Sequence, residues 1–109
     1  NVTDMTNMFY SAAYKSEEFS LDLSILDTTS VVNTKNMFSN LGCASTRLNT
    51  SITIRNPNVT IYDNMFKGVA TKPGSQIVVN YTKETETLVD EMIKTKSSNS
   101  NVVKGVQVD

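Results

Sequence analysis

The tripeptide Asn-Met-Phe occurs three times, at residues 7–9, 36–38 and 64–66, with intervals of 29 and then 28 residues. So constant a spacing marks an internal repeat, whose single copies are too small to bury an apolar side alone. Each tripeptide also lies the same distance after a valine in a polar setting, as in Asn1-Val2-Thr3, Ser30-Val31-Val32 and Asn58-Val59-Thr60. Val2, Met5 and Phe9 stand at i, i+3 and i+7, as do Val59, Tyr62 and Phe66. This predicts a short helix with one apolar stripe, which Thr34 weakens in the middle copy.

About a dozen residues after each tripeptide, a brief alternating segment follows: Leu21-Asp22-Leu23, Ile52-Thr53-Ile54 and Ile77-Val78-Val79. These read as strands with one buried face. The expected fold is α/β, a single solenoid domain of three helix-plus-strand repeats of about 28–29 residues with parallel strands. The repeats span about 1–29, 30–57 and 58–81, and residues 82–109 form a capping helix and strand. Leu88, Val89, Met92 and Ile93 define the capping helix. Thr82 or Thr85 is its expected N-cap, with Glu84 and Glu86 in the first turn and Lys94 and Lys96 after the last. Val102-Val103 and Val106-Gln107-Val108 supply a fourth strand.

Composition narrows the chemistry. The 10 basic and 11 acidic residues nearly cancel and are scattered, leaving no footprint for nucleic acid or an anionic membrane. No apolar run approaches the roughly 20 residues of a membrane span. The chain opens on Asn1 without a leader pattern, so it is expected to be a C-terminal fragment of a longer repeat array. Histidine is absent, which removes the usual general base and commonest metal ligand. The one cysteine, Cys43, excludes an internal disulfide and is read as a buried thiol. Asp22 and Asp27 as a glycosidase-type carboxylate pair would need a cleft between them. Asp4, Asp22 and Asp27 lack the dense spacing of a calcium loop. No catalytic residue, metal or cofactor is therefore expected.

The segment 1–9, Leu21-Asp22-Leu23-Ser24 and Asp27-Thr28 resemble the repeat of the BspA-like leucine-rich-repeat surface proteins, V-T-x-M-x-x-M-F followed by L-D-L-S. Copies two and three share mainly Asn-Met-Phe and the strand, and Gly42-Cys43 matches the small-residue-Cys position of that family. Ile25-Leu26 depart from the pattern. The resemblance spans roughly residues 1–80. It implies a leucine-rich-repeat-like solenoid, an extracellular, cell-surface or cell-wall location in a bacterium, and adhesion to host or bacterial protein or glycan.

Met8, Phe9, Met37, Phe38, Met65 and Phe66 are expected to plug the core, each burial contributing about 1.5–3 kcal/mol. Asn7, Asn36 and Asn64 would stack inside as a ladder of amides that satisfy backbone groups. Ligand contacts are sought on the outward strand positions instead. If Leu21, Ile52, Ile77 and Val106 align inward, then Asp22, Thr53, Val78 and Gln107 form one outward row, extended by Ser24, Arg55 and Asn80. Tyr10, Tyr14, Phe19, Tyr62 and Tyr81 are too dispersed for a nucleic-acid stacking platform, and Tyr81, next to outward Asn80, is the aromatic expected as a ligand contact. The sequons at Asn1, Asn49, Asn58 and Asn80 are explained largely by the repeat. The expected function is non-catalytic binding of a protein or glycan, without nucleic acid or membrane insertion; the alternative is a passive spacer or cap.

Overall fold

The computed structural model describes residues 3–10, 18–23, 26–41, 47–72 and 74–108. Strands β1 (Glu18–Leu23), β2 (Arg47–Ile54), β3 (Gln76–Tyr81) and β4 (Val102–Gln107) form one parallel sheet in that spatial order, and helix α1 (Glu86–Ile93) lies between β3 and β4 in sequence. The chain is thus α/β, with a four-stranded parallel sheet and one short helix among the described residues. Val2, Tyr14, Ser24, Ile25, Gly42 and Cys43 fall outside the described residues.

The Asn-Met-Phe segments are not helices. Asn7, Asn36 and Asn64 have φ of 58°, 57° and 55°, in the left-handed region, whereas helix propagation needs φ near −63°. The hydrogen bonds show what replaces a helix. In the middle copy the Met37 and Ser39 N–H groups donate backwards to Thr34 and Asn36 carbonyls at 3.0 and 3.1 Å. The intervening Asn36 and Phe38 N–H groups donate sideways to Asp63 and Met65 carbonyls of the next copy, at 3.0 and 2.9 Å. The first copy repeats the pattern, with Asn7 to Lys35 at 3.0 Å and Phe9 to Met37 at 2.9 Å. Alternate donors leave the segment, so the apolar stripe belongs to stacked turns and its helical spacing misleads.

Asparagine tolerates positive φ better than other residues with a side chain. Asn7 and Asn64 are exposed and Asn36 is half-buried, which corrects the expected internal amide ladder: these positions call for a backbone conformation, and the copies align through their peptide groups. A second left-handed position follows four residues on, as Asn40 (φ 60°) and Gly68 (φ 71°).

The turns hold one side of the core. Phe38 stacks between Phe9 and Phe66 with centroids 5.6 Å apart on each side and interplanar angles of 5° and 2°. Met37, Phe38, Met65 and Phe66 are fully buried, and Phe9 packs on the cluster from its rim. Met8 departs from the expected core set at 47% exposed, because in the described structure the first turn has a stacked neighbour on one side only. Across the core, Leu48, Ile52 and Ile54 of β2 and Ile77 and Val79 of β3 complete the interior.

The strand register also differs from expectation. Leu23, Ile52 and Val79 lie in one row, and Leu21, Thr50, Ile77 and Val102 in the next, so Ile52 is displaced by two residues from Leu21 and Ile77. A shift of two keeps the same face inward. Val106 does not share it: an irregularity between Val79 and Tyr81 lets β4 diverge, and Val106 is 65% exposed.

Helix α1 closes the β4 side, burying Val89 and Met92. Thr85 stands at its N-cap, but its hydroxyl turns away from the helix, donating to the Ile54 carbonyl at 2.8 Å and accepting the Thr82 N–H at 2.7 Å. After the helix, Thr95 Oγ1 and Ser97 Oγ accept the Phe66 and Gly68 N–H groups at 3.0 and 2.9 Å. The sideways bonds of the third copy therefore end on hydroxyls. Lys104 of β4 adds ion pairs to Glu86 (2.7 Å) and Asp90 (3.1 Å).

Phe38→Ala is expected to cost about 3–5 kcal/mol through lost burial and a cavity in the middle of the stack, and Phe9→Ala less than about 2 kcal/mol because that ring is only partly buried; urea titration of both variants checks the order. At Asn36, substitution by Val should cost about 1–2 kcal/mol for its strained left-handed backbone, and by Gly less than about 1 kcal/mol. Equal losses in the Val and Gly variants would return the role to the amide.

Candidate functional site

With one face of the sheet closed over the core, the side chains that can meet solvent are sought on the other. The register arranges its side chains in rows: Ser20, Asn49 and Gln76, continued by Asn101 just before β4; then Asp22, Ser51, Val78 and Val103; then Thr53 and Asn80. Neighbouring strands in a sheet lie about 4.8 Å apart, so side chains along a row stand within reach of one another. Ser51 Oγ donates to Asp22 Oδ1 at 3.2 Å.

The sequence-derived contact set disperses over this frame. Asp22 is exposed, with Ser51 rather than Thr53 beside it. Thr53 is 2% exposed, too buried to meet a ligand, and its carbonyl accepts the Thr28 hydroxyl at 2.8 Å. Asn80 holds the sheet together, since its Oδ1 accepts the Val106 N–H at 2.9 Å across the β4 irregularity. A Cβ at Gly105 would lie 2.0 Å from that oxygen, which explains glycine at this crossing. Tyr81, expected as a ligand contact, packs partly buried against the core, with the Lys104 ammonium 5.0 Å from its ring centroid. Gln107 pairs with Tyr81 and so does not extend the Asp22 row. Arg55 is half-buried at the end of β2, bordering a depression of about 400 Å³ with Lys83, Glu84 and Gln107.

A cleft of about 570 Å³ lies on the outward side where β2 and β3 begin. Ser20, Arg47, Asn49, Gln76 and Asn101 line it, with Gly74 and Ser75 in the wall. Asn49 and Gln76 are exposed, and no hydrogen bond engages their amides among the described residues. Asn101 Nδ2 donates to the Ser75 carbonyl at 3.0 Å, and Ser75 Oγ accepts the Leu48 N–H at 3.0 Å, so wall and strand are tied together. A smaller recess of about 170 Å³, bounded by Ser20, Asp22, Asn49 and Ser51, continues the cleft along the sheet. None of the residues lining the larger cleft belongs to the sequence-derived set. The alternation Arg47, Asn49, Ser51 is a strand signal in its own right, but Leu48 is the one apolar residue among its inward partners, and the stronger Ile52-Thr53-Ile54 signal draws attention away from this polar half.

The exposed acids Asp4 and Asp27 serve the turns. Asp27 Oδ1 accepts both the N–H and the hydroxyl of Thr29, at 3.0 and 2.5 Å, and Asp4 does the same with Thr6 at 2.8 and 2.6 Å. These bonds hold both carboxyls below the usual aspartate range; at Asp27 the charge of Arg55 adds a smaller effect. One period later Asn33 and Asn56 make the same turn with a neutral acceptor, to Lys35 and Asn58 N–H groups at 3.0 and 2.9 Å. Among the described residues no cluster of three or more His, Cys, Asp or Glu side chains could hold a metal ion, and no helix is long and apolar enough to cross a membrane.

A carboxyl with a lowered folded-state pKa contributes stability that is present above the unfolded value near pH 4 and is lost as pH falls through the folded value. Asp27→Asn, which keeps the acceptor, is therefore expected to lose less stability than wild type between about pH 6 and about pH 2.5. Paired urea titrations check this, and identical acid losses would assign the acid sensitivity elsewhere.

Residues 1–104 match the model of a family described as Mycoplasma protein of unknown function, DUF285. No curated protein and no solved structure matches the chain. With the match spanning nearly its whole length, the chain belongs to the DUF285 family of Mycoplasma proteins of unknown function.

Proposed function

We propose that this chain is a non-catalytic binding module of a bacterial cell-surface protein, a leucine-rich-repeat-like solenoid of the BspA-like kind that adheres to a protein or glycan through its open sheet face. The observation that carries the reading is the division of the sheet. One face is consumed by the core, whereas the other presents Ser20, Asp22, Asn49, Ser51 and Gln76 in register around a cleft. Repeat proteins commonly bind on such extended surfaces. Membership of DUF285 and the likeness of residues 1–9 and 21–24 to the BspA-like repeat support the same reading. Mixed hydroxyl, amide and charged groups suit the polar rim of a recognition surface.

The second reading is a passive spacer or cap of a longer surface array. It is favoured by the β4 side, where α1 covers the core with Val89 and Met92 and Lys104 pairs with Glu86 and Asp90 at the surface.

Binding of the immobilised chain to a panel of extracellular-matrix proteins and glycans separates the two. Adhesion predicts saturable binding to at least one panel member, weakened about tenfold or more by the double substitution Asn49→Arg and Ser51→Arg in a chain that keeps its circular dichroism. Binding that ignores the double substitution, or an empty panel, would favour the spacer.

A further inference from the structure

The first turn of the stack is unfinished on its outer side. Through the turns the sideways bonds run one way, each copy donating to the next. Met5, Asn7 and Phe9 donate to the Asn33, Lys35 and Met37 carbonyls, and Thr34, Asn36 and Phe38 to those of Ile61, Asp63 and Met65. One repeat of 29 residues before Asn33, Lys35 and Met37 stand Asp4, Thr6 and Met8. Their carbonyls hold the same places in the first turn, yet no described residue donates to them. The apolar side chains show the same deficit: Met37 and Met65 are fully buried, whereas Met8 is 47% and Tyr10 52% exposed. Phe9 has the Phe38 ring on one side and packs on the core only from its rim. β1 likewise has β2 on one side and no described strand on the other, an edge that offers further unpaired peptide groups.

The polarity of this edge decides what can complete it. Every N–H from Met5 to Tyr10 is already engaged, so the turn offers backbone acceptors and no backbone donor. An occupant must bring N–H donors at i, i+2 and i+4, with an apolar side chain to lie over Phe9 and Met8. An Asn-Met-Phe turn brings both, as the first copy does towards the second. A folded second copy of the chain does not. Its first turn presents the same carbonyls, acceptor against acceptor, and at its other end the Phe66 and Gly68 N–H groups are taken by the Thr95 and Ser97 hydroxyls. The turns meet across 28 or 29 residues of sequence, so their contact rests on complementary groups and not on covalent adjacency. A turn of another polypeptide satisfies the same groups, in the manner of strand addition to an open edge.

We propose that the outer side of the first turn, from Asp4 to Tyr10, is a docking edge for an Asn-Met-Phe turn of a second polypeptide, whose N–H groups bond the Asp4, Thr6 and Met8 carbonyls and whose Phe ring stacks on Phe9. The partner is a segment that carries this repeat with its donors uncapped. The edge is separate from the outward sheet face, so this interaction goes beyond the binding reading above and stands without it.

The test is an NMR titration of the 15N-labelled chain with a synthetic peptide of the sequence of residues 1–29. Saturable shifts are expected at the Met5, Asn7 and Phe9 amides, each of which follows one of the open carbonyls, and at Tyr10. A peptide carrying Asn7→Val and Phe9→Ala should bind at least about tenfold more weakly. In the chain, Met8→Asp or Tyr10→Lys, both at exposed positions, should abolish binding while the rest of the spectrum is unchanged. Asn49→Arg with Ser51→Arg should leave peptide binding as it is, which separates this edge from the sheet face. The proposal is overturned if the peptide does not bind saturably, if the shifts centre on Asn49 and Gln76 or on β4, if the altered peptide binds equally well, or if the Met8 and Tyr10 variants bind as wild type does. Sedimentation of the chain alone is expected to give a monomer; a dimer that Met8→Asp dissolves would assign the edge to a second copy and overturn the uncapped-repeat partner. An empty panel of proteins and glycans with peptide binding intact would sink the sheet-face reading and support this one.

Discussion

The structure depends on a choice made at alternate peptide groups. In each Asn-Met-Phe turn one N–H closes a bond within its own turn and the next reaches into the neighbouring copy. The first kind shapes the turn and the second binds turns together, so neither copy has its final hydrogen bonds without the other. Buried backbone groups must be paired, and this arrangement pairs them without a helix or a second sheet. The left-handed asparagines enable it, since each reverses the chain where a helix would continue.

Aligned turns set the aromatic stack and the sheet. Because the sideways bonds fix the copies in register, Phe9, Phe38 and Phe66 fall above one another as nearly parallel rings. Offset stacked rings attract beyond their buried area. The same alignment delivers β1, β2 and β3 side by side in sequence order. The row of amides on the outer face is thus a product of the repeat, although its side chains vary from copy to copy.

Much of this is legible in the sequence. The spacing of Asn-Met-Phe locates equivalent positions, alternating segments locate the strands, and Leu88 to Ile93 mark the one helix. What misleads is periodicity. Val59, Tyr62 and Phe66 fit a helix by spacing alone, and nothing in the apolar pattern distinguishes a helix from successive turns. Asn64 holds the missing signal, since asparagine recurring at a fixed place is as well explained by positive φ as by its amide. The site is hidden for a related reason. Three-residue apolar strand cores point to outward positions near Ile52, whereas β2 extends back to Arg47, and the polar residues that border the cleft lie in that earlier part. Thr53 is misplaced because alternation tells which residues share a face but not what covers that face, whereas Tyr81, next to Asn80 in sequence, lies by the same alternation on the core side.

The two hydroxyls that accept the sideways bonds of the third turn change what lies on the far side of that turn. A peptide carbonyl that receives such a bond is followed by a residue whose N–H donates on to the next copy, as the Met37 carbonyl is followed by the Phe38 N–H, so the pattern propagates. Thr95 Oγ1 instead passes its proton back to the Met92 carbonyl at 2.8 Å, inside the closing segment. The series of bonds turns home there and stops. Thr95 thus imitates a backbone acceptor towards the third turn while directing its own proton into the segment that follows α1.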